Sequence, residues 1–335
     1  MSSKLIYQFS QKKTDGDKTM SDLLGGKGAN LAEMSNLGIN VPPGFTVTTE
    51  VCNYYIENKS FPENFDKELS ASIKKLEDYS GKVFGTSENP LLLSVRSGGR
   101  ISMPGMMDSI LNIGLNDDNV IHLSKVFNDE RFALDSYRRL IQMYGNVVLD
   151  IDHKRFEAIL ENKKRIDNLN SDADFNSEQL QWVIDAYKNT VERFSDAPFP
   201  QDPEEQLIGS IKAVFNSWLN KRAVTYRKIN NIPDHWGTGA TIQTMVFGNL
   251  NENSGTGVAF TRFPSTGKNE LYGEYLMNAQ GEDVVAGLRT PFPITKHEKN
   301  TEPSLSEDHP KLHAEIREIA TKLENHYKDV QDIEF

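Results

Sequence analysis

The chain has 335 residues, 25% of them charged and 37% hydrophobic, with a formal net charge of −11. This length holds two or three domains or subdomains, and the composition is that of a globular protein, not a disordered or fibrous one. The acidic balance argues against sequence-independent nucleic-acid binding, and no run approaches the roughly 18 apolar residues of a membrane span.

The N-terminal MSSKLIYQFSQKKTDG lacks the apolar stretch of a secretory signal. Cys52 is the only cysteine, so no internal disulfide can form and a reducing cytoplasm fits. Residues 5–50 read as mixed α/β structure. In GGKGANLAEMSNLG, Leu31, Met34 and Leu37 recur near helical spacing, and Gly38 is placed to end the helix. The glycines of LLGGKGAN (Leu23–Asn30) would let backbone N–H groups approach a phosphate, with Lys27 adding a point charge. This is not a Walker A loop, since Gly28 follows Lys27; a plain glycine turn before a helix explains the segment equally well.

VPPGFTVTTE reads as a turn into a strand, Phe45–Thr49. A helix follows over residues 66–79, and LLLSV (Leu91–Val95) reads as a short buried strand. Next comes SVRSGGRISMPGMM (Ser94–Met107), where Arg96 and Arg100 bracket two glycines. Ligands of α/β folds collect after such strands, and guanidinium groups suit phosphate oxygens; glycines that serve only as turn residues and arginines that are ordinary surface charges are the alternative reading. Met103, Met106 and Met107 either line an apolar slot for a base or fill core.

Residues 119–194 are helical in pattern. Tyr137, Leu140, Ile141, Tyr144 and Val148 share one face, and Asn128, Asp129 and Glu130 form a capped start. SDAPFPQDPEE (Ser195–Glu205) is the best linker or boundary signal. Leu207, Ile211, Val214, Phe215 and Trp218 then keep a helical period. TIQTMVF, GVAFT and LYGEYLM read as antiparallel strands joined by turns, and His313–Tyr327 as a last helix. In Asp332-Ile333-Glu334 a strand would put both carboxylates on one face, where two hard oxygen donors suit Mg²⁺ shared with nucleotide phosphates; a solvated strand face gives the same alternation. Glu282 and Asp283 lie in the glycine-flanked NAQGEDVVAG. The seven histidines show no HxH or HExxH spacing, no GxSxG is present, and Cys52 has no histidine near it in sequence.

Six segments occur in order over almost the whole chain: LLGGKGANLAEMSNLGINVPPGFTVTTE, SVRSGGRISMPGMMDSILNIGLND, RFALDSYRRLIQMYG, QTMVFGN, SGTGVAFTRFPSTG and GEYLMNAQGEDVVAGLRTP. Together they resemble the N-terminal nucleotide-binding domain of the pyruvate, phosphate dikinases. Phosphoenolpyruvate synthases and glucan, water dikinases have a similar GGKG segment, but the SMPGMMDSILNIGLND continuation is the dikinase version. The resemblance implies an α+β, ATP-grasp architecture of two lobes with a helical insertion. It divides the chain into a first lobe at 1–110, an insertion at 111–200, a helix returning at 201–240 and a second lobe at 241–335.

The resemblance also implies a partial reaction in which ATP and inorganic phosphate give AMP and pyrophosphate while the β-phosphoryl group moves to a histidine. By position, Lys27 and Arg96 would hold phosphates, with Arg139 a further contact. Gly105 and Met107 would border the nucleotide, and backbone near Met245 would meet adenine. Thr256, in the SGTG loop, would close over the phosphates. Glu282 and Asp283 would touch the nucleotide, and Asp332 and Glu334 would bind Mg²⁺. Implied partners are a phosphohistidine domain, a pyruvate-binding barrel and a second copy of the full-length protein. The family is much longer than this chain, and its further strand with a glutamine and an arginine has no match here. The stop at Phe335 therefore suggests an excised domain or truncated gene product, with an open sheet edge. A non-catalytic nucleotide-binding or interaction module, or the equivalent domain of a phosphoenolpyruvate synthase-type dikinase, is the alternative.

Overall fold

The computed structural model describes residues 4–86, 88–285, 289–296 and 302–335, except for the side chains of Glu282 and Val285. It is an α+β protein of two compact units, Met1–Met245 and Val246–Phe335. No helix among the described residues is long and apolar enough to cross a membrane.

In the first unit β1 (Ile6–Phe9), β2 (Gly44–Val47), β3 (Leu93–Gly99), β4 (Ser109–Ile113) and β5 (Thr238–Thr244) form one antiparallel sheet, ordered β1-β2-β5-β3-β4. Phe45, Ile242, Val95 and Ile110 stand opposite one another across four strands and are fully buried. The helices of this unit are α1 (Ser21–Asn36), α2 (Thr49–Asn58), α3 (Phe65–Ser80), α4 (Asn119–Phe127), α5 (Glu130–Val147), α6 (His153–Asp167), α7 (Ser177–Ser195), α8 (Pro203–Ser217) and α9 (Lys221–Ile229). Trp218, just after α8, packs on the apolar sheet face, 3.7 Å from where a Cβ of Gly99 would stand. α1 covers the opposite face.

The α5 start follows its expected cap: the Asp129 carboxylate accepts from the Phe132 N–H at 2.8 Å. Asn128, expected to share in that cap, instead ends α4 in a left-handed conformation. Tyr137, Leu140, Ile141 and Tyr144 are buried as the period predicts, while Val148 is only half-buried at the helix end. The segment 195–205 is a packed connection. Phe199 is buried against Tyr137 and Tyr144, and Asp202 caps α8 through the Glu204 N–H.

Two strands differ from expectation. β3 runs on to Gly99 because β5 pairs with it residue for residue, so Arg96 lies inside the strand and not in a loop after it. Thr241–Phe247 reads as grouped with the strands that follow it. In the structure Thr238–Thr244 is the central strand of the first sheet, paired with β2 and β3, and these non-local pairings leave no local pattern.

The second unit holds β6 (Gly255–Phe260), β7 (Tyr272–Met277), β8 (Phe292–Pro293) and β9 (Asp332–Glu334), ordered β8-β7-β6-β9 and antiparallel. With them are α10 (Gly281–Val285), α11 (Leu305–Asp308) and α12 (Pro310–Tyr327). Ala259, Tyr275 and Ile294 pack with Leu305, Ile316 and Ala320 as the core of this unit, and Ile333 joins them from β9.

Candidate functional site

Directly opposed residues of an antiparallel sheet share a face. Thr46, Thr241, Arg96 and Ser109 therefore form one polar row across β2, β5, β3 and β4. This is the face that α1 meets, and glycines set how closely. Gly25 breaks the helix at φ 68°, ψ 165°, and a Cβ there would stand 1.8 Å from the Gly98 carbonyl oxygen. A Cβ on Gly28 would stand 2.6 Å from the Thr46 hydroxyl oxygen. The two glycine-rich stretches of the sequence, GGKG and SGGR, are thus pressed backbone to backbone.

This approach sets two cations on the same face. The Lys27 Cβ lies 3.4 Å from the Cβ position of Gly98, and Gly98 is two residues, roughly 6.6 Å, along β3 from Arg96. Arg96 is half-buried and makes no side-chain hydrogen bond or ion pair with another described residue. Its guanidinium donors are therefore available to an anion in a partly desolvated place, where charge-assisted bonds are strong. Arg100 is occupied otherwise. Its Nε lies 2.5 Å from the Asp22 carboxylate, and its guanidinium sits 4.5 Å above the Trp236 ring. It braces the loop against α1.

Gly105 takes φ 69° in an open turn with nothing near its Cβ position. Met107, with Met103 and Met106, packs into an apolar cluster around Trp218, Ala223 and Ile232. Met245 follows β5, and its N–H donates to the Leu92 carbonyl at 2.9 Å, which occupies that donor. Arg139, on α5, donates from Nε to the Asp135 carboxylate at 2.9 Å. Burial alone would raise the pKa of Asp135, but Arg138 and Arg139 outweigh it and hold the carboxyl well below the usual range.

In the second unit Thr256 lies in strand β6, not in a loop, and its hydroxyl donates to the Phe335 carbonyl at 2.9 Å. Asp283 caps α10, its carboxylate accepting from the Gln280 N–H at 2.9 Å. The side chain of Glu282 lies outside the described residues. Asp332 and Glu334 share one exposed face of β9, as their spacing predicts, while Ile333 turns to the core. Burial, and after it the charge of Glu334, raise the pKa of Asp332. Two hard oxygen donors that repel each other fit a divalent cation that takes its other ligands from phosphate and water. Among the described residues no three His, Cys, Asp or Glu side chains are grouped to hold a metal.

Some neighbours were not found from sequence. The Thr46 and Thr241 hydroxyls, 3.4 Å apart, lie in the row with Arg96. Glu274 shares the face of Glu334, with Val258 between them. Alternation along FTVTTE and TIQT marks the faces of those threonines, but only the register brings them to Arg96.

The profile of the family described as "Pyruvate phosphate dikinase, AMP/ATP-binding domain" matches residues 21–71 and 55–308. The chain is similar to pyruvate, phosphate dikinase of Rhizobium meliloti (strain 1021), 52% identical over 337 residues, which is 99% of this chain and 38% of the relative. It is 49% identical over 334 residues to pyruvate, phosphate dikinase of Clostridium symbiosum, covering 99% of this chain and 37% of that one. Similarity to pyruvate, phosphate dikinase 2 of Oryza sativa subsp. japonica is 49% over 330 residues, 98% of this chain and 36% of the relative. The chain therefore spans little more than a third of the length of these relatives.

Proposed function

Because this chain belongs to the family of pyruvate phosphate dikinase AMP/ATP-binding domains, we propose that it is the ATP-binding part of such a dikinase, with Lys27 and Arg96 holding the phosphates. The observation that carries this reading is the half-buried Arg96 guanidinium. It has no partner among the described residues, and Lys27 stands on the same sheet face. In this reading the fold is an ATP-grasp arrangement of lobes and helical insertion, divided as the sequence implies. Gly105, Met107, Arg139, backbone at Met245, Thr256, Glu282 and Asp283 complete the nucleotide contacts.

The reaction proposed for the parent protein begins with ATP, inorganic phosphate and a carrier histidine. These give AMP, pyrophosphate and phosphohistidine, and the phosphoryl group then passes to pyruvate on a separate barrel to form phosphoenolpyruvate. Such transfers depend mainly on positioning and charge neutralisation. Lys27 and Arg96 would orient the polyphosphate and offset its charge. Asp332 and Glu334 would hold Mg²⁺, which when bound neutralises phosphate oxygens. The phosphohistidine domain, the barrel and a homodimer of the full-length protein are the proposed partners. A cytoplasmic setting accords with the buried free thiol of Cys52, whose pKa burial pushes up to about 12.

Calorimetry with Mg-ATP tests the site. Arg96→Ala and Lys27→Ala should each weaken binding by ~1–3 kcal/mol, the scale of a lost charge-assisted hydrogen bond. Wild-type affinity in both variants would overturn the assignment. Turnover is tested by mixing the chain with a separately expressed phosphohistidine domain, ATP and phosphate; absence of AMP would leave a binding module only.

A further inference from the structure

Two buried side-chain amides of the second unit lack partners. Gln280 is 7% exposed, and neither its Oε1 nor its Nε2 is hydrogen-bonded; the buried Oδ1 of Asn249 is in the same state. They flank a single backbone hydrogen bond, from the Ala279 N–H to the Gly248 carbonyl at 3.0 Å. A Cβ on Gly248 would stand 2.4 Å from the Ala279 carbonyl oxygen, so the two segments are in backbone contact. Ala279, next to Gln280 in the chain, packs with Leu276, Val284 and Val258 in an apolar cluster. The next residue, Gly281, has its Cβ position 3.8 Å from the Thr256 hydroxyl.

An unpaired buried amide carries its full desolvation penalty, whereas an apolar side chain of the same shape carries none. The turn is held by the backbone N–H of Gln280, which donates to the Asp283 carboxylate at 2.9 Å, and not by the side-chain amide, which makes no hydrogen bond. The protein's own atoms therefore leave this amide to a partner from outside the chain. Two of the three orphaned atoms are carbonyl oxygens, which repel phosphate oxygens and accept from N–H or O–H groups. Glutamine and asparagine amides pair in this way with the donor–acceptor edge of adenine, and ribose hydroxyls offer the same chemistry.

We propose that Gln280, with Asn249, hydrogen-bonds an uncharged donor–acceptor edge of the bound nucleotide, in its base or ribose, and so sets nucleoside selectivity. The proposal rests on the nucleotide-binding reading above and adds the residues that would read the nucleoside.

Calorimetry on the full chain, with Mg²⁺ and in turn ATP, ITP, 2′-deoxy-ATP and tripolyphosphate, tests it together with thermal melting of each nucleotide-free variant. Gln280→Met should bind ATP about tenfold more weakly, bind tripolyphosphate as the wild type does, and melt no lower. Loss of the preference for ATP over ITP assigns the pair to the base; loss of the preference over 2′-deoxy-ATP assigns it to the ribose. Equal changes for ATP and tripolyphosphate, or a lower melting temperature with unchanged affinity, would overturn the proposal. The second of these results would mean that the amides hold a structural water. Asn249→Leu carries the same test if Gln280→Met does not fold. Failure of the wild type to bind ATP would instead sink the nucleotide-binding reading itself.

Discussion

Position 25 admits no side chain. Its φ of 68° is left-handed, and the atom a Cβ would strike, at 1.8 Å, is the backbone oxygen of Gly98, which is paired with Gly239 near the end of β3. That oxygen cannot swing aside as a side chain would. Gly25→Ala should therefore cost at least ~2 kcal/mol, combining left-handed strain with displacement of β3. Gly38 is the control: it has φ 72° but nothing within 4 Å of its Cβ position, so alanine there should cost only the ~1 kcal/mol conformational part. Urea midpoints of the two variants measure the difference, and equal losses would mean that GGKG and SGGR do not meet as described. The cations and glycines of both stretches were legible in sequence as candidates for holding an anion. Their adjacency was not, because it depends on a packing distance between residues more than seventy positions apart.

At the scale of elements, α5 shows what a helical pattern reveals and what it leaves out. Its apolar face and its Asp129 cap follow from local rules, and so does the spacing of Asp135, Arg138 and Arg139, three and four residues apart. The resemblance made Arg139 a phosphate contact; the fold adds that its Nε pairs within the helix with Asp135, which is itself buried. The strands were found less completely. The SGTG of Thr256 reads as a loop by composition, but pairing with β7 and β9 makes it strand. Only tertiary partners decide that, since glycine disfavours strand locally. The buried ion group also has a consequence for pH. Asp135 has its folded pKa depressed, so its contribution is present above the unfolded value, near 3.9, and disappears as pH falls towards the folded one. Asp135→Asn should cost about 3 kcal/mol at neutral pH, since Arg138 is left buried with only the more distant Asp172 carboxylate, 3.8 Å away, against its charge. The loss should shrink below about pH 4, where the wild type itself gives up that term. Stability curves that stay parallel from pH 7 to pH 3 would contradict this account.

For the whole molecule, the decisive element is the strand the sequence could not place. β5 is the third of five strands in spatial order, bonded to β2 along Gly44–Val47 and to β3 along Leu93–Gly99. It contributes Ile242 to the buried row and Thr241 to the polar one. The fragment 1–245 keeps this strand whole, together with every helix and strand of the first compact unit. The fragment 1–240 stops at the sequence-derived edge of the second lobe. It loses the pairing partners of Val95, Arg96, Phe45 and Thr46, leaving two sheet edges with unsatisfied backbone groups in the core of the unit. Only five residues separate the fragments, yet the first should show a cooperative thermal transition and dispersed amide signals, while the second should aggregate or remain unfolded. If 1–240 folds as well as 1–245, the central position of β5 is wrong, and with it the row that brings Thr241 beside Arg96.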